Sequence, residues 1–256
     1  MNIVKSILAT LSVISFILSA NAAEDGPTYL TVLQVRVNPG MQPQYEQAVH
    51  RFKEANDKLK TDFYWSSSTG QFGPAGLYTF ARFHTSLATV QANPRNIIAE
   101  AFGDEAAREQ IATIAATTAE SRNGLWLQRP DLSVMPPQDM NAVNLSFLQV
   151  TIKPFGNAAY EEYLAKVVEA NRATYPEGYY ITFAPGWGAE NVYAFVSPLP
   201  NLGELGPPPV SIPERLVKHF GKREANRLLE VRDSLVVAQQ TGLSNTRSDL
   251  SRMPQQ

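Results

Sequence analysis

The chain writes one pattern twice, and that repetition restricts its possible folds more than any other property. Leu33-Gln34-Val35 recurs as Leu148-Gln149-Val150, 115 residues further on. The match continues without a gap through Pro39 with Pro154, Tyr45-Glu46 with Tyr160-Glu161 and Glu54-Ala55-Asn56 with Glu169-Ala170-Asn171. Nine of the 24 positions from Leu33 to Asn56 are identical between the copies. The spacing persists through Tyr64, Gly73, Tyr78 and Phe80, matched by Tyr179, Gly188, Tyr193 and Phe195, and becomes 118 after a three-residue insertion. Arg129 then matches Arg247, and each copy closes on the same signature, Asp131-Leu132-Ser133-x-Met135-Pro136 and Asp249-Leu250-Ser251-x-Met253-Pro254. The copies span 27–136 and 141–254, joined through the polar, proline-bearing stretch Pro136-Pro137-Gln138-Asp139.

One copy yields its elements directly. Tyr29 to Val37 alternates and is rich in β-branched residues, which predicts a strand. Pro39-Gly40 ends it, and Pro43 suits the first turn of a helix running from Gln42 to Leu59, where Tyr45, Val49, Phe52, Ala55 and Leu59 draw one apolar stripe. Two aromatic strands are expected over Asp62–Thr69 and Gly76–Phe83, with Gly70, Gly73 and Gly76 between them. A second helical region, broken by Pro94 and Gly103, continues to about Arg122, and Trp126–Val134 reads as the last strand. The order is β-α-β-β-α-β, and the second copy retraces it with Gly206-Pro207-Pro208-Pro209 as its inserted loop.

In the first strand of each copy one face is apolar, Leu33, Val35 and Val37 or Leu148, Val150 and Ile152, and calls for helices over it. The other carries Val32, Gln34 and Arg36, or Phe147, Gln149 and Thr151, and suits a second sheet enclosing a partly polar space. In the third strand Tyr78, Phe80, Arg82 and His84 share a face, answered by Tyr193, Phe195, Ser197 and Leu199. A four-stranded β-α-β-β-α-β sheet has helices on one side only, so its bare face must be buried against something. Two copies in one chain supply that partner.

In element order and duplication, over almost all of the chain beyond its first residues, the sequence resembles the dimeric α+β barrel superfamily. That group includes antibiotic-biosynthesis monooxygenases, EthD-like and NIPSNAP-like proteins. The resemblance implies an α+β fold of two tandem ferredoxin-like βαββαβ modules forming an intrachain pseudo-dimeric barrel.

Met1–Ala22 combines Lys5, an apolar run from Ile7 to Leu18 and a small-residue end at Ala20-Asn21-Ala22, the layout of a cleaved secretory signal. The expectation is an exported protein, periplasmic or secreted, that leaves the membrane after cleavage. The chain contains no cysteine, so no disulfide can hold it together. A formal net charge of −2 gives no electrostatic case for nucleic acid. Partners are then small molecules or proteins.

Gln34 and Gln149 are the first ligand-binding candidates, because an amide in an enclosed space offers both donors and an acceptor. Tyr78, Tyr193 and Arg82 are expected to join them in lining the interior. His84 could serve as a base, since histidine titrates near neutrality. The superfamily resemblance, which includes cofactor-free oxygenases, gives that reading the form of a cofactor-free monooxygenase or isomerase. Tandem barrels resembling chlorite dismutase carry haem on a helical histidine of the second half, which makes His219 a candidate ligand. His50 is expected to be solvated, and Arg129 with Asp131, like Arg247 with Asp249, to be paired structural charges on one strand face. The three histidines are dispersed, without metal-ligand spacing, and neither a phosphate loop nor a nucleophile elbow occurs. No cofactor or metal is expected in the leading reading, a protein that binds a small molecule without catalysis. A structural or interaction module is the remaining class.

Overall fold

The computed structural model describes residues 28–72, 75–90, 96–137, 140, 142–187, 191–206 and 208–254. The signal-like segment 1–22 and Gln138-Asp139 of the linker lie outside them. The protein is α+β. Its eight strands, β1 (Tyr29–Val37), β2 (Ser66–Phe72), β3 (Leu77–His84), β4 (Thr118–Gln128), β5 (Asn144–Ile152), β6 (Ile181–Pro185), β7 (Val192–Leu199) and β8 (Val236–Thr246), follow one another by hydrogen bonding in the order β1-β3-β2-β8-β5-β7-β6-β4, a closed barrel.

Two compact units divide the chain, and the division is not that of the repeats. The first runs to Gly124 and takes back the segment from Ser244 onward; the second is Leu125–Leu243. The closing signature of each repeat therefore belongs to the unit built mainly from the other.

In the first unit β1 (Tyr29–Val37) is followed by α1 (Gln42–Lys58), β2 (Ser66–Phe72), β3 (Leu77–His84), α2 (Leu87–Val90), α3 (Ile97–Phe102), α4 (Asp104–Thr117) and the start of β4 (Thr118–Gln128). A proline in its first turn helps open α1, and Tyr45, Ala48, Val49 and Ala55 form its buried stripe. β3 lies between β1 and β2, antiparallel to both. Val35, Val37 and Tyr78 pack with Tyr45, Val49 and Leu250 in one core cluster. The helical cover thins toward the start of β1. Leu33, expected under helices, is 40% exposed.

The predicted limits of two strands move. β4 begins at Thr118 rather than Trp126, because the helix before it ends where Asn38 caps it from another element. The Asn38 amide donates to the Thr117 carbonyl at 2.8 Å and its side chain to the Ala116 carbonyl at 3.0 Å. The strand stops at Gln128, and Pro130, which has no N–H for a ladder, opens a 3₁₀ turn over Pro130–Leu132. β2 starts at Ser66 rather than Asp62, because the carbonyls of Thr61 and Phe63 are taken by Arg252.

The second unit repeats the order with β5 (Asn144–Ile152), α5 (Asn157–Thr174), β6 (Ile181–Pro185), β7 (Val192–Leu199), α6 (Ile212–Phe220), α7 (Lys222–Leu235) and β8 (Val236–Thr246), whose last residues enter the first unit. A capping box between Ser211 and Glu214 starts α6. Val150, Ile152, Tyr160, Leu164, Tyr193, Leu216 and Leu228 belong to one continuous core cluster. Among the described residues no helix is long and apolar enough to cross a membrane.

Candidate functional site

Strand register decides which side chains can meet a ligand. Val35 pairs with Tyr78, Leu33 with Phe80, Thr31 with Arg82 and Tyr29 with His84. Directly paired residues share a face, so Tyr78, Phe80, Arg82 and His84 lie on the face that α1 covers. In the second unit Val150 pairs with Tyr193, 0% exposed within the helix-covered core. Tyr78, Arg82 and Tyr193 therefore do not line a space on the helix-free face as expected. Arg82 instead stacks on the Phe63 ring at 3.5 Å and donates its Nε–H to the Tyr64 carbonyl at 3.3 Å.

The two tyrosines belong to a polar network built twice. The Tyr78 hydroxyl donates to Glu46 at 2.6 Å. Arg247 grips the same carboxylate with two N–H groups at 2.7 and 2.9 Å and Asp249 with two at 2.9 and 2.7 Å. In the second unit the Tyr193 hydroxyl donates to Glu161 at 2.9 Å, Arg129 meets Glu161 at 2.6 Å, and Arg129 forks onto Asp131 at 2.9 and 2.8 Å. The arginine hydrogen bonds hold the Glu46, Asp131 and Asp249 carboxyls below their ordinary range. Burial, reinforced by the adjacent carboxylate, raises both phenols. A carboxylate between a phenol and an arginine fork has its lone pairs engaged, which marks a latch for the closing signature rather than a reaction centre. The paired charges were legible from the sequence. Their partners Glu46 and Glu161 were missed, although identity across the repeats marks both.

Gln34 and Gln149 are different. Register puts Gln34 opposite Thr79 and Gln149 opposite Ala194, on the face turned from the helices. Both are half-buried, and among the described residues neither side-chain amide has a hydrogen-bond partner. Around Gln34 stand Val32, Ala81, Ser66, Ser68 and Thr79, a surface of small side chains and hydroxyls. Around Gln149 stand Phe147, Ala194, Val196, Ile181 and Phe183. A Cβ at Gly242 would collide with the Phe147 ring, so the missing side chain makes room for that ring. Each unit thus presents one free amide on a small or apolar sheet surface, an arrangement suited to an amphipathic molecule.

The histidines are placed apart. His84, 4% exposed, has Thr31 Oγ1 at 3.0 Å from Nε2 and Thr89 Oγ1 at 3.3 Å from Nδ1. Burial first, then the charge on Arg82, pushes its pKa down to about 4. Both ring nitrogens of the proposed base are occupied. His219 lies on α6 with Nε2 3.2 Å from Glu169 and its ring against Phe220 at 4.5 Å. A metal on Nε2 would have to displace Glu169. His50 is exposed, as expected. Among the described residues no cluster of three or more His, Cys, Asp or Glu side chains could hold a metal ion.

No protein-family model matches the sequence, and no curated protein matches it. Solved structures do. Chlorite dismutase from Candidatus Nitrospira defluvii aligns with a TM-score of 0.53 at 11% identity, over 91% of this chain and 98% of that one. A proposed monooxygenase from Lactobacillus acidophilus gives 0.50 at 8% identity, over 89% and 96%. Another, from Fusobacterium nucleatum, gives 0.50 at 9%, over 86% and 93%. The chain has the fold of the dimeric α+β barrel proteins.

Proposed function

We propose that this is an exported protein that binds a small amphipathic molecule on the helix-free sheet faces, with Gln34 or Gln149 holding its polar group. The carrying observation is the pair of equivalent, half-buried amides left without a protein hydrogen-bond partner among the described residues. A half-buried amide that forgoes a protein partner costs little if a ligand or water completes it. The two repeats are copies of one ferredoxin-like module, so the site is duplicated in kind but differs in character. The first copy offers hydroxyls beside its glutamine, and the second offers phenylalanines.

Native mass spectrometry of protein purified from its own compartment, compared with Gln34→Leu, Gln149→Leu and the double variant, tests this reading. Loss of one neutral hydrogen bond should weaken a retained compound by roughly tenfold. Equal retention by the double variant would reject the assignment.

The fold likeness to chlorite dismutase and to proposed monooxygenases supports a second reading, catalysis by a haem-bearing or cofactor-free barrel. It asks more of the side chains, since His84 must give up two threonine contacts and His219 its carboxylate. Unchanged turnover in His84→Ala would remove that base. A haem absorption band in the purified protein, lost in His219→Ala, would instead establish the haem alternative.

A further inference from the structure

Within the second unit, two cations stand where the first unit holds a cation and its carboxylate. In the first unit Arg252 is 7% exposed; Asp57 on α1 accepts its Nε–H at 2.6 Å, and the Thr61 and Phe63 carbonyls accept others at 2.9 and 2.8 Å. The repeat alignment puts Arg172 at the position of Asp57 and Val134 at that of Arg252. The buried guanidinium of the second unit comes from α6 instead. Arg215 is 4% exposed, donates to the Val210 carbonyl at 2.7 Å and to Asn171 Oδ1 at 2.8 Å, and lies 4.3 Å from the Tyr175 ring centre.

Neither Arg215 nor Arg172 forms an ion pair among the described residues. Arg172 donates to the Ser133 carbonyl at 3.0 Å. A buried guanidinium answered only by neutral acceptors and a ring is costly, and the C-terminal end of α5 offsets part of that cost. Tyr180 completes the group. Its hydroxyl oxygen is buried without a hydrogen-bond partner among the described residues, and Asn171, Arg215 and Arg172 all influence its ionisation. The first unit has Trp65 at that position, with its Nε1–H satisfied by the Leu250 carbonyl at 2.8 Å.

We infer that Arg215, Arg172 and Tyr180 form a binding site for a small oxyanion, a carboxylate or a phosphate or sulfate group, which supplies the negative charge that Asp57 supplies in the first unit. Guanidinium forks and a phenol O–H are donors that such a group accepts well. The site is independent of Gln34 and Gln149.

Calorimetry and thermal unfolding of the full chain in sodium phosphate, sulfate or acetate, at constant ionic strength set with sodium chloride, test the inference. Saturation below roughly 10 mM separates specific binding from general salt exclusion. The wild-type protein should show a saturable rise in Tm of a few degrees with at least one anion. A response to acetate alone points to a carboxylate, and one to phosphate or sulfate points to a tetrahedral anion. Tyr180→Phe keeps the ring and removes the hydroxyl; it should leave Tm in chloride unchanged or higher and raise the anion Kd about tenfold or more. Arg172→Asp restores the charge pattern of the first unit; it should raise Tm in chloride and abolish the response. Absence of a saturable response to all three anions overturns the site, and so does a response of wild-type affinity in either variant.

Discussion

The first unit and the second use the same latch but different locks around it. Tyr78, Glu46, Arg247 and Asp249 in one repeat the geometry of Tyr193, Glu161, Arg129 and Asp131 in the other, with donor distances of 2.6 to 2.9 Å in both. Beyond the latch they diverge. The closing segment of the first unit ends on buried Arg252, which binds Asp57 and several carbonyls, whereas the second has the apolar Val134 there; both positions keep the same isolated bridge, to Trp65 and to Tyr180. At the end of the third strand the first unit buries His84, and the second has Leu199. After the first strand the first unit turns at Gly40, with φ of 81°, while the second turns at Phe155, with φ of 64° and its side chain fully exposed. Duplication preserved what holds the closing segments and released what surrounds them.

The sharpest test of that contrast is Arg252→Met. It leaves several backbone carbonyls without their donor, while Asp57 stays solvated, and should cost about 3 kcal/mol or more in denaturant unfolding, against about 1 to 2 for Val134→Ala. Similar costs would mean that the two closing segments are held alike.

A titration comes next. The pKa of His84 in the folded protein lies near 4, below the 6.5 of an unperturbed histidine. The unfolded chain therefore binds the proton first as pH falls. His84 costs nothing above about pH 6.5; stability drops between 6.5 and 4 by up to about 3 kcal/mol and the loss then levels off. His84→Leu, which copies the second unit, should flatten that part of the stability curve, and an unchanged slope would place the effect elsewhere.

Arg247→Met and Arg129→Met compare the latches themselves. Arg247→Met breaks forks onto Glu46 and Asp249, Arg129→Met a fork onto Asp131 and one contact to Glu161; each should cost about 2 kcal/mol, with the two values within about 0.5 of each other. Unequal costs would show that the matching geometry conceals unequal roles.

The smallest effect concerns the turns. Phe155→Gly relieves a left-handed backbone at little packing loss and should stabilise by about 1 kcal/mol, while Gly40→Ala should destabilise by a similar amount. If Phe155→Gly instead destabilises, the exposed ring has a partner that its surroundings do not reveal.

Much of this was legible in the sequence because it is periodic or repeated. The stripe of Tyr45 and Val49, the alternation of Val35 and Val37 and the copied Arg-x-Asp signature all depend on spacing along a single segment; the structure uses the first two as expected and pairs each Arg with its Asp, but in a turn past the strand end rather than on a strand face. What failed was whatever depends on two segments meeting. Alternation grouped Tyr78, Phe80, Arg82 and His84 correctly, but only pairing with Val35 shows that their face lies under α1. Likewise β4 starts at Thr118 because Asn38, far away in the chain, caps the preceding helix.

By itself the sequence determined that one β-α-β-β-α-β pattern is present twice, which residues alternate, and which charges come in copied pairs, since these follow from local sterics and hydrophobic period. The tertiary structure alone decided that each closing segment completes the unit built from the other repeat, and which strand face receives the helices. Those outcomes come from register and long-range hydrogen bonding, where shifting a strand by one residue reverses every side chain, and no spacing within a single segment encodes that choice.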